Sequence, residues 1–313
     1  MPTEKYHLII IGSGAAGLAA ALYAGRYLMK TLVIGKEFGG ATSWGGLIEN
    51  YPGVKSIDGY ELMKIMKEQA GNQGVKVIED EVVEIKEEVG SFRVITRSQH
   101  QFLSNTLILA IGSQRRRLNL PNEKELTGRG VHYCVTCDVP FYRNKKIAIV
   151  GGGDAAVKAA LFAFDYCEVI YLIVRGKKLN AEPINIRQLE KGGSKLKILF
   201  ETEVREIVGK AKLEKLILSR PYQNSQELLV DGLFIEIGSV PDPRLPQQLK
   251  LKVDDQGYVK VDNLMRTSKA GVFAAGDITN FFGHFKQDIT AAAMGAVAAT
   301  SAYEYLKEKG FNF

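Results

Sequence analysis

Cysteine is scarce in this chain, with three residues among 313, and histidine nearly so, with four. So few cysteines exclude a disulfide scaffold and point to a reducing, cytoplasmic compartment. Two of them form one C-x-x-C, and the second C-x-x-C of a zinc ribbon is missing. His7, His100, His132 and His284 are scattered, so no tetrahedral metal site is expected. Interleaved aromatic and basic residues are also lacking; Arg115-Arg116-Arg117 is a single short run, and nucleic acid is not an expected partner. The net charge of +6 fits a lysine-rich solvated surface with a mild bias toward acidic partners. One long apolar run, residues 8–25, is barely long enough to span a bilayer, and Gly12, Ser13, Gly14 and Gly17 interrupt it. It lacks the basic start and cleavage site of a signal peptide, so no membrane segment is expected.

What the chain has is glycine, 32 residues of it, clustered after apolar runs. Its length suggests two domains. One supersecondary pattern occurs twice. An apolar strand at Tyr6–Ile11 runs into GSGAAG, an Ala/Leu-rich helix to about Met29, and a strand TLVIG. A strand at Lys146–Val150 runs into GGGDAA, a helix to about Asp165, and a strand at Glu168–Val174. Strand, glycine turn, helix and parallel strand within ~30 residues is the dinucleotide-binding unit. In it the first glycine makes the tight turn and the second admits the pyrophosphate. The third, Gly17 or its counterpart Ala156, lets helix and strand pack closely. The helix N-terminus offers free N–H groups to phosphate.

Further strands are expected at Lys76 to about Ile85, Phe92–Thr96, Thr106–Ser113, Lys195–Phe200, Glu214–Ser219 and Asp231–Ser239, and a long helix from about Asp288 to Lys307. Strands ending at Gly112 and Gly238, with Pro121 and Pro241 behind them, mark two domain crossings. The expected layout is nested, with residues 1–114 and 246–313 in one domain and 115–245 inserted. The fold class is α/β, two nested Rossmann-like domains of the three-layer ββα type.

Cys134 and Cys137 lie in His132-Tyr133-Cys134-Val135-Thr136-Cys137-Asp138, just before the second glycine turn. Thiols three apart, on a turn or a first helical turn, can close a disulfide without large strain, and a helix end can activate them. A cysteine pair beside a dinucleotide site suggests electrons passing from a nucleotide cofactor to a disulfide. Cys167, in an apolar strand, reads as inert core.

The ordered pieces GSGAAG, ENYPG, LILAIGS, CVTCD, GGGDAA, FIEIG, GVFAAGD and KQDITAA cover nearly the whole chain, and in them it closely resembles the low-molecular-weight thioredoxin reductases. In larger flavoprotein disulfide reductases the cysteines sit in the first domain; here they precede the second turn. The resemblance implies FAD in the discontinuous domain and NAD(P)H in the inserted one. It implies an FAD site of Gly12, Gly14, Ala15, Ala16, Gly17, Gly35, Lys36, Glu37, Gly40, Ala41, Asn50, Val82, Ala110, Gly112, Gly276, Asp277, Lys286, Gln287 and Asp288. Glu37, ~20 residues past Gly17, would meet the adenosine ribose, and Asp277 the ribityl chain. Gly151, Gly153, Asp154, Ala155, Ala156 and Arg175 would form the NAD(P) site. Electrons would pass to FAD and then to the disulfide. Cys137 would face the flavin, Cys134 would attack the disulfide of a thioredoxin or glutaredoxin-like protein, and Asp138 would be the acid–base group. The family reconciles these contacts by rotating the inserted domain, and its members are commonly homodimers.

The chain departs from the family pattern at the nucleotide. Of the arginines that hold a 2′-phosphate only Arg175 is present; Gly176 and Asn180 replace the others, with Lys177 and Lys178 between. Lysine is a point charge without arginine's fork. Val157-Lys158-Ala159-Ala160 also replaces two acidic residues. NADH, lysine-held NADPH, or a ferredoxin-like donor protein remain open. Val139-Pro140 alters the rim of the dithiol, and Asp288 stands where an apolar residue is usual, able to cap the helix or to oppose negative charge on a flavin. A dithiol oxidase and a flavin redox sensor are the competing functions.

Overall fold

A computed structural model describes residues 4–283 and 285–313, so His284 lies outside the described residues. The chain divides into two compact units. One comprises the residues up to Gln114 together with Val240–Phe313, the other Arg115–Ser239. The second crossing thus falls at 239–240, where the sequence reading put it at 245–246. Residues 244–248 form a helix in the first unit, where Arg244 bonds Asp242 and Glu81.

The first unit is built on a seven-stranded sheet. Glu4–Ile11 pairs in parallel with Thr31–Gly35 on one side and Gln101–Leu109 on the other. These strands are continuous apolar runs because helices cover both faces of a parallel sheet. Gln101–Leu109 forks: its first half pairs antiparallel with Ser91–Thr96, and its last residues pair in parallel with Val272–Ala274. The stretch expected as one strand from Lys76 to about Ile85 is two, Lys76–Glu79 and Val82–Glu88. The first pairs with Thr31–Gly35, the second with Ser91–Thr96. The chain switches partner at Asp80, whose N–H donates to the Gly35 carbonyl, and at Glu81. Glu81 is buried, which opposes its charge, yet Arg97 at 2.6 Å and Arg244 at 3.2 Å hold the carboxyl below its ordinary range.

Helix Ala15–Arg26 is rich in strong helix formers and nearly all buried. It packs on Asp288–Glu308 through small residues, and a Cβ on Gly295 would lie 2.0 Å from the Ala16 carbonyl oxygen. The long helix therefore rides directly over the start of the first.

The second unit holds a five-stranded parallel sheet in the order Val131–His132, Gly232–Ile235, Lys146–Val150, Val169–Val174, Leu196–Phe200. A three-stranded antiparallel sheet from Val204–Gly209, Leu213–Tyr222 and Ser225–Leu229 completes it. Helix Asp154–Ala163 buries Ala156, Val157, Ala159, Ala160 and Ala163 against the larger sheet. Among the described residues no helix is long and apolar enough to cross a membrane.

Candidate active site

In the first unit the strand ending at Ile11 meets the glycine turn. Gly12 has φ +115°, and a Cβ there would lie 2.1 Å from the Ala110 carbonyl oxygen. A Cβ on Gly17 would lie 1.9 Å from the oxygen of Gly12. Both positions demand glycine, one by conformation and contact, the other by contact alone. Gly14 caps helix Ala15–Arg26 without any side-chain hydrogen bond, and the helical ladder begins with the Leu18 N–H on the Gly14 carbonyl. The N–H groups of Ala15, Ala16 and Gly17 precede that ladder and face outward from the helix end. This is a cradle for phosphate.

Residues 35–41 fold against the same turn. Ser13 Oγ donates to the Glu37 carbonyl at 2.9 Å, and the Gly39 N–H to the Ser13 carbonyl at 3.1 Å. A Cβ on Gly35 would strike Ser13 Oγ at 2.0 Å, and a Cβ on Gly40 would lie 3.6 Å from the Gly14 Cα. Lys36 and Glu37 are exposed, and Lys36 Nζ lies 3.7 Å from Glu81. Val82 follows Glu81 but is buried in the core with Ile11 and Ile34. Ala41 is exposed, and Gly112, at φ +63°, has open space around it.

The far end of the chain closes this unit's site. Gly276 has φ +76°, and a Cβ there would lie 3.0 Å from the Ala16 Cβ. Burial pushes the Asp277 carboxyl up, against the pull of Lys286 and with the repulsion of Asp288. Lys286 Nζ donates to the carbonyls of Asp277 at 3.0 Å and Thr279 at 2.8 Å, and stands 3.9 Å from the Tyr258 ring centroid. Burial lowers its proton affinity, and Asp277 and Asp254 oppose that. Asn50 Nδ2 donates to Gln287 Oε1 at 3.0 Å. Asp288 does not cap the long helix. Gln287 is the cap, its N–H bonded to Thr290 Oγ1 at 3.3 Å, while Asp288 accepts from Thr42 Oγ1 at 2.5 Å. Burial raises the Asp288 carboxyl, and the Thr42 bond opposes this.

The second unit carries the sulfurs. Cys134 and Cys137 form a disulfide, with Cα atoms 5.4 Å apart, around the short helix Val135–Asp138. The Cys137 N–H donates to Cys134 Sγ at 3.3 Å, and both cysteines are partly accessible. Asp138 Oδ2 lies 3.0 Å from His132 Nδ1. Tyr133, next to Cys134, donates to the buried Glu123 at 2.5 Å. Burial, then that bond, pushes the phenol up to about 12. Cys167 is buried, and its thiol is raised to about 11 by burial.

The second glycine turn follows the same logic. Gly151 has φ +146°, and a Cβ there would meet the Glu236 carbonyl oxygen at 2.2 Å. Gly153 caps helix Asp154–Ala163, and Ala156 is buried at the position of the third glycine. The segment beyond Val174 lies against this turn, with the Asn180 N–H on the Gly152 carbonyl at 2.7 Å. Asp154 Oδ1 accepts from the Glu182 N–H at 2.7 Å and from Asn185 Nδ2 at 3.3 Å, so its carboxylate is engaged by the chain itself. Lys158 Nζ lies 4.0 Å from Glu182. Ala155, Arg175, Gly176, Lys177 and Lys178 are exposed. The arginine run is spoken for within this unit: Arg115 pairs with Glu236 at 2.8 Å, and Arg116 Nε donates to the Ser239 carbonyl at 3.1 Å. Among the described residues no group of three or more His, Cys, Asp or Glu side chains is placed to hold a metal ion.

A family model described as pyridine nucleotide-disulphide oxidoreductase matches residues 6–300. The thioredoxin reductase of Peptoclostridium acidaminophilum is 36% identical over 311 residues, covering 96% of this chain and 97% of the relative. The chain belongs to the low-molecular-weight thioredoxin reductases, in the pyridine nucleotide-disulphide oxidoreductase family. Among solved structures of thioredoxin reductases, that from Lactococcus lactis superposes with TM-score 0.91 at 34% identity, over 97% of this chain and 99% of that one. A ferredoxin-flavin thioredoxin reductase from Clostridium acetobutylicum is 33% identical, with TM-score 0.52, over 98% and 99% of the two chains.

Thioredoxin reductases of this family bind FAD and use NAD(P)H. The residues of the first unit fit FAD: a Cβ-free cradle at Gly12 and Gly17, free helical N–H groups, and a buried carboxyl at Asp277. The sequence reading missed Thr42 and Tyr142. Thr42 and Asp288 are 246 positions apart, and nothing local marks their contact. Tyr142 is reached only through His132, whose Nε2 lies 2.7 Å from its hydroxyl.

Proposed function

We propose that this chain reduces the disulfide of a thioredoxin-like protein through Cys134 and Cys137, as a soluble cytoplasmic homodimer. The observation that carries the reading is a closed, partly accessible Cys134–Cys137 disulfide held in a unit that also has a dinucleotide turn. FAD bound at the first turn supplies two-electron transfer between a reduced donor and that disulfide. The N–H groups of Ala15, Ala16 and Gly17 would hold its pyrophosphate, Glu37 its adenosine ribose and Asp277 its ribityl chain. Cys137 is the sulfur that would face the flavin, and two-electron cleavage of the S–S bond leaves Cys134 as the exchange thiol. The Cys134 thiolate then attacks the partner's disulfide, releasing one partner thiolate and forming a mixed disulfide. Cys137 attacks Cys134 in turn, re-forms the pair and frees the second partner sulfur. Asp138 supplies the proton to a departing thiolate.

The donor is a nicotinamide nucleotide bound at Gly151, Gly153 and Ala156, without selection for the 2′-phosphate. Gly176 and Asn180 offer no guanidinium there. A ferredoxin-like donor is the second reading, favoured by those missing arginines and by the likeness to a ferredoxin-flavin enzyme. Stopped-flow reduction of the holoenzyme by NADH and NADPH separately, with a thioredoxin disulfide as acceptor, tests both. Rapid reduction by NADH supports the first reading. Reduction by neither nucleotide, with turnover on a reduced ferredoxin, supports the second.

A further inference from the structure

His132 is a buried titratable group with no part in the scheme above. It ends the strand Val131–His132, which pairs with Gly232–Ile235 so that His132 stands opposite Phe234. The residue is 9% exposed. Its ring stacks on Phe234, with centroids 5.2 Å apart at 22°, and meets the Tyr142 ring edge-on at 5.4 Å. Nδ1 is 3.0 Å from Asp138 Oδ2 and Nε2 is 2.7 Å from the Tyr142 hydroxyl. Both ring nitrogens are therefore engaged, and the ring plane is fixed by two aromatic neighbours. An ionised carboxylate only accepts, so Nδ1 carries the proton toward Asp138. Nε2 then accepts from Tyr142 in the neutral ring and donates to it in the cation.

We propose that His132 is the positioning residue for Asp138, and that the Tyr142–His132–Asp138 chain holds the proton taken up when the Cys134–Cys137 disulfide is reduced. The inference rests on the reading of that pair as the redox-active disulfide. Two-electron reduction of the pair breaks the S–S bond and leaves two thiolates. From the imidazolium form of His132 the Nδ1 proton passes by way of Asp138 to one of them, leaving a thiol, a thiolate and a neutral imidazole. Asp138, 31% exposed at its side chain, takes the replacement proton from water. In the imidazolium form the His132–Asp138 pair is neutral overall, so no uncompensated carboxylate stands beside Cys137 while the thiolate exists.

The other charged groups around this chain are few. Lys145 Nζ lies 5.6 Å from the Tyr142 ring centroid. Asp231, at the head of the strand Gly232–Ile235, adds negative charge: burial first, then Asp138 and Asp231, push the Tyr142 phenol up to about 12. Phe234 contributes an apolar face. A neutral phenol is thus retained across the working pH range as the far end of the chain.

The test uses the reduced holoenzyme and the pH dependence of iodoacetamide alkylation, mapped to Cys134 and Cys137 by mass spectrometry, with the buried Cys167 as internal reference. His132→Gln and His132→Asn each keep a polar side chain able to donate a hydrogen bond but carry no ionisable proton. In either, Asp138 loses the cation that stands 3.0 Å from it, its uncompensated carboxylate opposes the thiolate of the adjacent Cys137, and the alkylation midpoint moves up by about one pH unit or more. Tyr142→Phe, which removes only a hydroxyl, shifts the midpoint in the same direction by less. FAD content and thermal midpoint report folding separately. Profiles of His132→Gln and His132→Asn that superimpose on the wild type overturn the proposal, as does restoration of the wild-type midpoint by Asn alone, which would reduce His132 to a hydrogen-bond donor. If both His132 variants lose the fold, a Tyr142→Phe profile superimposing on wild type overturns it instead. The function itself fails by a different result, full disulfide reduction by Cys137→Ser.

Discussion

Replacing Gly17 by alanine sets two opposed effects against each other. Gly17 lies within helix Ala15–Arg26 at an ordinary helical φ, so propensity alone favours alanine by about 1 kcal/mol. The new Cβ, however, would stand 1.9 Å from the Gly12 carbonyl oxygen, far inside the 3.0 Å below which Cβ contacts essentially do not occur. The neighbour is backbone in a turn that is itself pinned: a Cβ at Gly12 would already meet Ala110, and the Gly12 N–H is bonded to Ile34. Overpacking typically costs about 1–3 kcal/mol, and a rigid neighbour puts this site in the upper half of that range. The net expectation is a loss of about 1–2 kcal/mol, or roughly 2–8 °C in thermal midpoint for a unit of this size. Flavin suffers more, because the displaced atoms are the cradle itself, and FAD affinity should fall at least tenfold. The assay is thermal unfolding with and without added FAD, together with the visible absorbance of the purified protein. The counterpart Ala156→Gly in the second unit serves as control and leaves flavin content unchanged. A Gly17→Ala protein that melts at the wild-type temperature with full flavin would refute the contact argument.

Cys137→Ser should keep its FAD and lose reduction of a thioredoxin disulfide by at least a thousandfold, measured by coupled turnover. Gly176→Arg with Asn180→Arg should improve NADPH binding tenfold or more over NADH, since a charge-assisted bond to phosphate contributes about 1.5–3 kcal/mol; isothermal titration reads the ratio. Asp288 bears on stability through pH. Its folded-state carboxyl is raised by burial, so the folded protein holds a proton that the unfolded chain releases first. Stability from this group therefore falls as pH rises from its unfolded value, 3.8, to the raised folded one, and stays lower above it. Asp288→Asn should flatten that part of the melting-temperature profile, while Thr42 still has an oxygen to bond; an unchanged profile would contradict the burial argument.

How much of this could be read from residues alone varied with how local the cause was. Gly12 and Gly151 were legible because a tight turn against the next strand leaves no room for a side chain, and that constraint is written in the glycine itself. Cys134 and Cys137 were legible because their spacing closes a ring within one helical turn. The break between Glu79 and Val82 was not, because it depends on Asp80 meeting Gly35 and on Arg97 and Arg244 meeting Glu81. Asp288 illustrates the same limit. Its position invited a helix-cap reading, but Gln287 and Thr290 make the cap, and the Asp288 carboxylate turns to Thr42 instead. The Asn50–Gln287 pair joins residues 237 positions apart. His132 stood within the cysteine motif, yet only the stacking on Phe234 and the two hydrogen-bonding partners identify it as more than a core side chain.

The most direct test of the whole account is a reductive titration of the purified protein with dithionite, following flavin colour and counting free thiols by mass spectrometry. The wild type should take up two electron equivalents more than Cys137→Ser, and its extra thiols should map to Cys134 and Cys137. Equal uptake by the two proteins, or a wild type that binds no flavin, would contradict the claim that flavin and this cysteine pair exchange electrons.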